Sequence, residues 1–175
     1  MKPKFIKLGF GLIALTIAVM GAAPESVGPT DSQIGAIVIA SNQVDIDAGG
    51  IAKNSANKEV QRFAKNLIAG HSSMNERALA LLTKLHITLE ETPRSKTFRT
   101  GGKKNIAHLL SLQGEFFDRA YVDHEVFYHQ QVLATLKNVL IPAAKNPELI
   151  AFLVKLRPFV EAQLKQAQAI QASMI

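Results

Sequence analysis

The chain has 175 residues, a formal charge of +6, and neither cysteine nor tryptophan. That length suffices for one domain with a real core, while the missing thiol excludes disulfides, thiolate metal sites, cysteine nucleophiles and a lipoprotein anchor. Lys2, Lys4 and Lys7 supply half of the net charge from the extreme N-terminus, and the rest is too scattered for a nucleic-acid footprint.

Those lysines precede an apolar run over residues 8–20 and then small residues, the pattern of a secretory signal. The run is too short to span a bilayer comfortably. Residues 1–23 therefore read as a signal peptide, and the mature protein as exported, in the periplasm or associated with the outer membrane, without a stable membrane span. Residues 24–30 form a Pro/Gly/Ser linker. Thr30-Asp31-Ser32-Gln33 is a capping box, opening a first helix over residues 31–54. Ile34, Ile37, Val38, Val44, Ala48 and Ala52 give it an apolar side, with Asp45 on its flank and Asp47 pointing away. Asn57 is an N-cap for a second helix over 58–85. Its stripe of Val60, Ala64, Leu67, Met74, Ala78 and Leu82 is interrupted by His71. The connection is short, so these two helices pair antiparallel.

Residues 86–104 carry helix breakers and no clean period. They read as a surface loop made basic by Arg94, Lys96, Arg99, Lys103 and Lys104. A short helix over 105–113 follows, ended at Gly114. The third long helix covers 115–139 and stops at Pro142. Asn146-Pro147-Glu148 supplies an N-cap, a first-turn proline and a first-turn acid, opening a fourth helix to about residue 172. Pro158 is expected to kink it, and Phe152, Leu156, Phe159, Ala167 and Ile170 form its stripe. Four helices without strand signals make a bundle over residues 31–173. The 86–104 loop is long enough to stay at one end or to cross the length of the bundle.

At 100° per residue, Asp118, Val122, Glu125, His129 and Leu136 share one stripe of the third helix. Two carboxylates and an imidazole thus point where leucines normally point. Asp45, His71, His129 and Gln163 each lie near mid-helix, about 21–24 Å along the axis, so one polar layer at mid-bundle is expected. Glu125 and His129, spaced i, i+4, can reach one point. Asp45, His71, Asp118, Glu125 and His129 are the candidate ligands. Two histidines with carboxylates suit a divalent transition metal such as zinc, iron, manganese or copper. The competing reading is a structural network in which Glu125 accepts from the histidines and Gln163 bridges. There is no Glu-x-x-His pair, which argues against an oxygen-activating di-iron centre. His124 and Asp123 point away from the stripe, and His86 and His108 lie near helix ends. No catalytic or nucleotide motif is present.

Phe117-Asp118 followed by Tyr121, then Glu125-Val126 and Tyr128-His129, resembles the signature of domain of unknown function family 4142. Gly70-His71-Ser72 resembles that family's Asp-His-Ser/Thr segment, and Asn42-Gln43-Val44-Asp45 its first-helix segment, where a Glu is usual. Gln163 stands where many members have a His. The resemblance implies an exported bacterial protein and a ferritin-like bundle, in keeping with the all-α four-helix bundle, with a short extra helix before the third long helix, that the residues themselves predict. It implies no reaction. Two functions follow as expectations: a periplasmic metal-binding bundle, or a non-enzymatic envelope protein acting through its basic surface on a protein partner or a second copy of itself.

Overall fold

The computed structural model describes residues 28–174, so the expected signal peptide and most of the linker lie outside the described residues. Among the described residues every regular element is helical: α1 is Asp31–Ala52, α2 Lys58–Lys84, α3 Pro93–Leu110, α4 Gly114–Thr135, α5 Ile141–Ala143 and α6 Pro147–Ser173. Helix starts follow the sequence signals. Thr30 and Gln33 complete a reciprocal capping box, and the Asn57 and Asn146 side chains each accept two backbone N–H groups. At the end of α2, Ile87 N–H bonds the Leu82 carbonyl and His86 N–H bonds that of Thr83. His86 has φ 56°, so a histidine fills the left-handed position that glycine usually takes.

The segment expected to be a basic loop is largely helical. Thr92 caps α3 with Pro93 in its first turn, and α3 has 18 residues rather than the short stretch expected. Gly101 and Gly102 read as breakers but lie inside it. A Cβ on Gly102 would come within 2.8 Å of Val44 Cγ2, so this glycine permits close approach of α3 to α1. Two of the basic residues, Lys96 and Arg99, pair with Glu91.

Cross-helix bonds fix the topology. Asn42 meets Asn75 and Asp45 meets His71, so α1 and α2 are antiparallel. The Asp31 carboxylate accepts from the backbone N–H groups of Lys145 and Asn146, while Ser55, just past the far end of α1, meets Asp118. α4 is therefore antiparallel to α1 as well. Lys84 with Glu148, and Ser173 with Glu59, set α6 antiparallel to α2. Helices α2 and α4 thus run the same way, and the chain between them must travel the length of the bundle. α3 makes that crossing, packed on α1 and α4, which gives four long helices with one long crossover.

α4 continues through a wider π-helical turn, Leu136–Leu140, into α5. That turn lies directly ahead of Pro142, whose ring crowds the carbonyl one turn back in a regular helix. α6 stays helical through Pro158. Two apolar clusters fill the interior, one around Ile37, Leu136, Leu153 and Leu156 and the other around Phe63, Leu67, Tyr121 and Val122. On α6 the buried line is Leu149, Leu153, Leu156 and Val160. Phe152 and Phe159, expected in that line, lie half-buried at its edge, because their neighbours one position on face the axis.

Candidate metal centre

On each long helix the break between the two clusters falls on polar side chains. These are Ser41, Asn42 and Asp45 on α1, His71 on α2, Glu125 and His129 on α4, and half-buried Gln163 on α6. Asp45 and His71 are each 2% exposed, His129 1% and Glu125 0%. Removing such groups from water is unfavourable unless their polar atoms find partners.

The two imidazoles reach the same state by different routes. His71 Nδ1 lies 3.0 Å from Asn42 Oδ1. Asn42 Nδ2 donates to Asn75 Oδ1 at 2.8 Å, which turns the Asn42 oxygen toward the ring. His71 Nδ1–H therefore donates, and Nε2 keeps its lone pair. His129 Nδ1 lies 2.9 Å from the Glu125 backbone carbonyl, which only accepts, so its Nε2 is bare too. Both Nε2 atoms are buried without a hydrogen-bond partner, and so are Asp45 Oδ1 and both Glu125 carboxylate oxygens. An imidazole with one nitrogen tied to a carbonyl and the other free is the arrangement of a metal-ligating histidine. One ligand atom each from Asp45, His71 and His129 lie within 4.8 Å of one another.

Electrostatics agree with this geometry. Burial, reinforced by neighbouring His129, pushes His71 down to about 3. The Asp45 oxygen 3.4 Å from His71 Nε2 would raise an exposed histidine, but here desolvation is the larger effect. Burial also lowers His129, against the opposing pull of Glu125. Both rings are neutral at pH 7 and do not repel a cation. Burial, with the adjacent Glu125 carboxyl, holds Asp45 well above the usual carboxylate range. In the absence of a cation Asp45 keeps its proton at pH values where exposed aspartates are ionised.

The structure thus brings Asp45, His71 and His129 together, with Glu125 against them. Asp118 stands apart. It lies two turns ahead of Glu125, about 10 Å along α4, where it accepts from Ser55 Oγ. Sharing a stripe places two residues on one face but not at one level. Gln163 contributes an unpartnered Oε1 outside the three-residue cluster. Two residues were not foreseen. Asn42 lies one turn before Asp45 and sets the His71 tautomer. His124 was expected to point away. Its ring instead stacks on Tyr128 at 5.5 Å, and its Nδ1 lies 3.8 Å from Glu125 Oε1. The i, i+4 spacing of His124 and Tyr128 was the available signal. Tyr128 itself donates its hydroxyl to the Ser41 carbonyl.

Fold and site together define an all-helical bundle with one long crossover and a buried imidazole–carboxylate layer at mid-height. The chain belongs to the family described as a domain of unknown function, DUF4142, whose model matches residues 18–170. It is also similar to a solved structure described as CopM in the Cu(II)-bound form, with a TM-score of 0.63 and 17% identity, covering 83% of this chain and 98% of that one. At that identity the likeness concerns the fold alone. No curated protein matches the chain.

Proposed function

We propose that this protein is an exported metal-binding bundle that holds one divalent transition-metal ion between Asp45, His71 and His129, with Glu125 as a second carboxylate. The carrying observation is the pair of imidazoles whose Nδ1 atoms are tied to carbonyl oxygens while both Nε2 atoms are buried and bare. A purely structural network would pair its own atoms. Five nitrogen and oxygen atoms of Asp45, His71, Glu125 and His129 have no hydrogen-bond partner, and the one proton that Asp45 keeps, shared with Glu125, leaves both Nε2 atoms bare. Two imidazoles and a carboxylate suit copper(II) and zinc more than calcium or magnesium. The Cu(II)-bound state of the similar fold supports copper as the first ion to try, ahead of zinc, iron and manganese. The basic, signal-like N-terminus supports export, and among the described residues no helix is long and apolar enough to cross a membrane.

Titration of metal-free protein with Cu²⁺ and Zn²⁺ tests this reading. One equivalent of Cu²⁺ should bind per chain, with nitrogen hyperfine coupling from imidazole in its electron paramagnetic resonance spectrum. Free ion at a hundredfold excess over the dissociation constant should stabilise the fold by about 2.7 kcal/mol. The double variant His71→Gln/His129→Gln should lose both effects. Undiminished binding in that variant, or no uptake by the wild type, would overturn the proposal.

A further inference from the structure

A cleft of about 700 Å³ opens between α3 and α4, lined on the α3 side by residues from Arg94 to His108 and on the α4 side by residues from His124 to Thr135. The volume is that of a small-molecule site. Its origin lies in α3. Gly102 lets that helix sit tight on α1, and the Cβ position of Gly101 has no heavy atom within 4 Å, so the α4 side is left open.

The walls are aromatic. Phe98 meets Tyr128 edge-on at 5.8 Å, His124 stacks on the same tyrosine, and Phe127 lines the cleft while 56% exposed. The charge has one sign. Arg94 and Lys104 line the cleft, and among the described residues that line it none is acidic. The outward-facing Lys96 and Arg99 are paired with Glu91, whereas Arg94 and Lys104 form no ion pair among the described residues. Asn105, only 8% exposed, also lines the cleft, and its Nδ2 donor has no hydrogen-bond partner.

This cleft offers cations, an unused amide donor and ring faces, and it would repel a metal ion. We infer that it binds a small organic anion with a flat apolar body, an aromatic carboxylate in class. The carboxylate is recognised by Arg94, Lys104 and Asn105, and the ring lies among Phe98, Phe127 and Tyr128. The inference is independent of the metal layer.

Benzoate is the probe, titrated by calorimetry into the protein at low salt. Saturable one-to-one binding is expected. The charge-reversed variant Arg94→Glu/Lys104→Glu alters two exposed residues, and circular dichroism verifies its fold; it should bind at least tenfold more weakly. Benzyl alcohol, with the ring but no charge, should also bind at least tenfold more weakly, and inorganic phosphate should not compete. His71→Gln/His129→Gln should bind benzoate as the wild type does. Absence of saturation up to about 10 mM, unchanged affinity in the charge-reversed variant, equal binding of benzyl alcohol, or displacement by phosphate would each overturn the assignment.

Discussion

Asp118 and Glu125 stand two turns apart on the same buried face of α4, yet their surroundings are opposite. Asp118 accepts from Ser55 Oγ, and that oxygen accepts in turn from the Asn57 backbone N–H at 3.0 Å. Donors and acceptors alternate, and the chain ends on the backbone of the α1–α2 turn. Around Glu125 stand the Asp45 carboxyl and His129, whose Nε2 is bare, and neither Glu125 oxygen has a hydrogen-bond partner. Only a proton or a cation can complete such a set. Burial of an acid is thus a poor marker of a site, and what its neighbours have left to donate is a better one.

The largest effect that would break this comparison is acid sensitivity of the metal-free protein. His71 has its pKa lowered to about 3 in the fold, against about 6.5 unfolded. Below 6.5 the unfolded chain therefore binds more protons. The stability associated with a neutral His71 is fully present above 6.5 and drains as pH falls toward 3. The slope is about 1.4 kcal/mol per pH unit, or roughly 3 kcal/mol by pH 4. His71→Gln should remove that slope in urea denaturations run between pH 7 and 4. An unchanged slope would mean that the ring protonates within the folded layer.

A smaller effect is expected at the finished end. Ser55→Ala leaves a buried Asp118 acceptor without its donor and should destabilise by about 1–3 kcal/mol, with or without metal. A change within about 0.5 kcal/mol, as at ordinary surface positions, would show that Asp118 draws its support from water.

The smallest effect has the opposite sign and sharpens the contrast. Asp45 has its pKa raised in the fold, so the folded state holds more protons than the unfolded state above about 3.8. Its contribution turns increasingly unfavourable as pH rises from there until the folded carboxyl itself ionises. Asp45→Asn should therefore stabilise the metal-free protein at pH 7 by about 0.5–2 kcal/mol, the usual scale when a functional site is relaxed. The same change should weaken metal uptake. A thermal melt showing a loss comparable to Ser55→Ala would mean that the layer is a finished network after all.

The fold was legible where local chemistry speaks for itself. Thr30, Asn57 and Asn146 announced three helix starts, and the 100° period placed Asp45, His71, Glu125 and His129 inside. The crossover was not legible, because Gly102 looks like a breaker until Val44 on α1 is seen pressed against its missing Cβ. Periodicity reports angle and not height, so Asp118 was grouped with residues two turns away. Cα direction alone points His124 away from the stripe, whereas its ring lies stacked on Tyr128. Asn42 carried no signal by itself, since its part in the layer depends on Asn75 holding its amide from the neighbouring helix.

The crossover also divides the site in time. Asp45 and His71 come from the α1–α2 hairpin, and Glu125 and His129 from the segment that pairs with α6. Each pair closes through contacts nearer in sequence than those between the pairs, at a smaller loop-closure cost. The full ligand set arises only when the hairpins dock across the chain carried by α3. Neither hairpin alone holds both imidazoles. An ion gripped by both would have to be released before they part, so its hold is felt in the rate of unfolding rather than in the rate of folding.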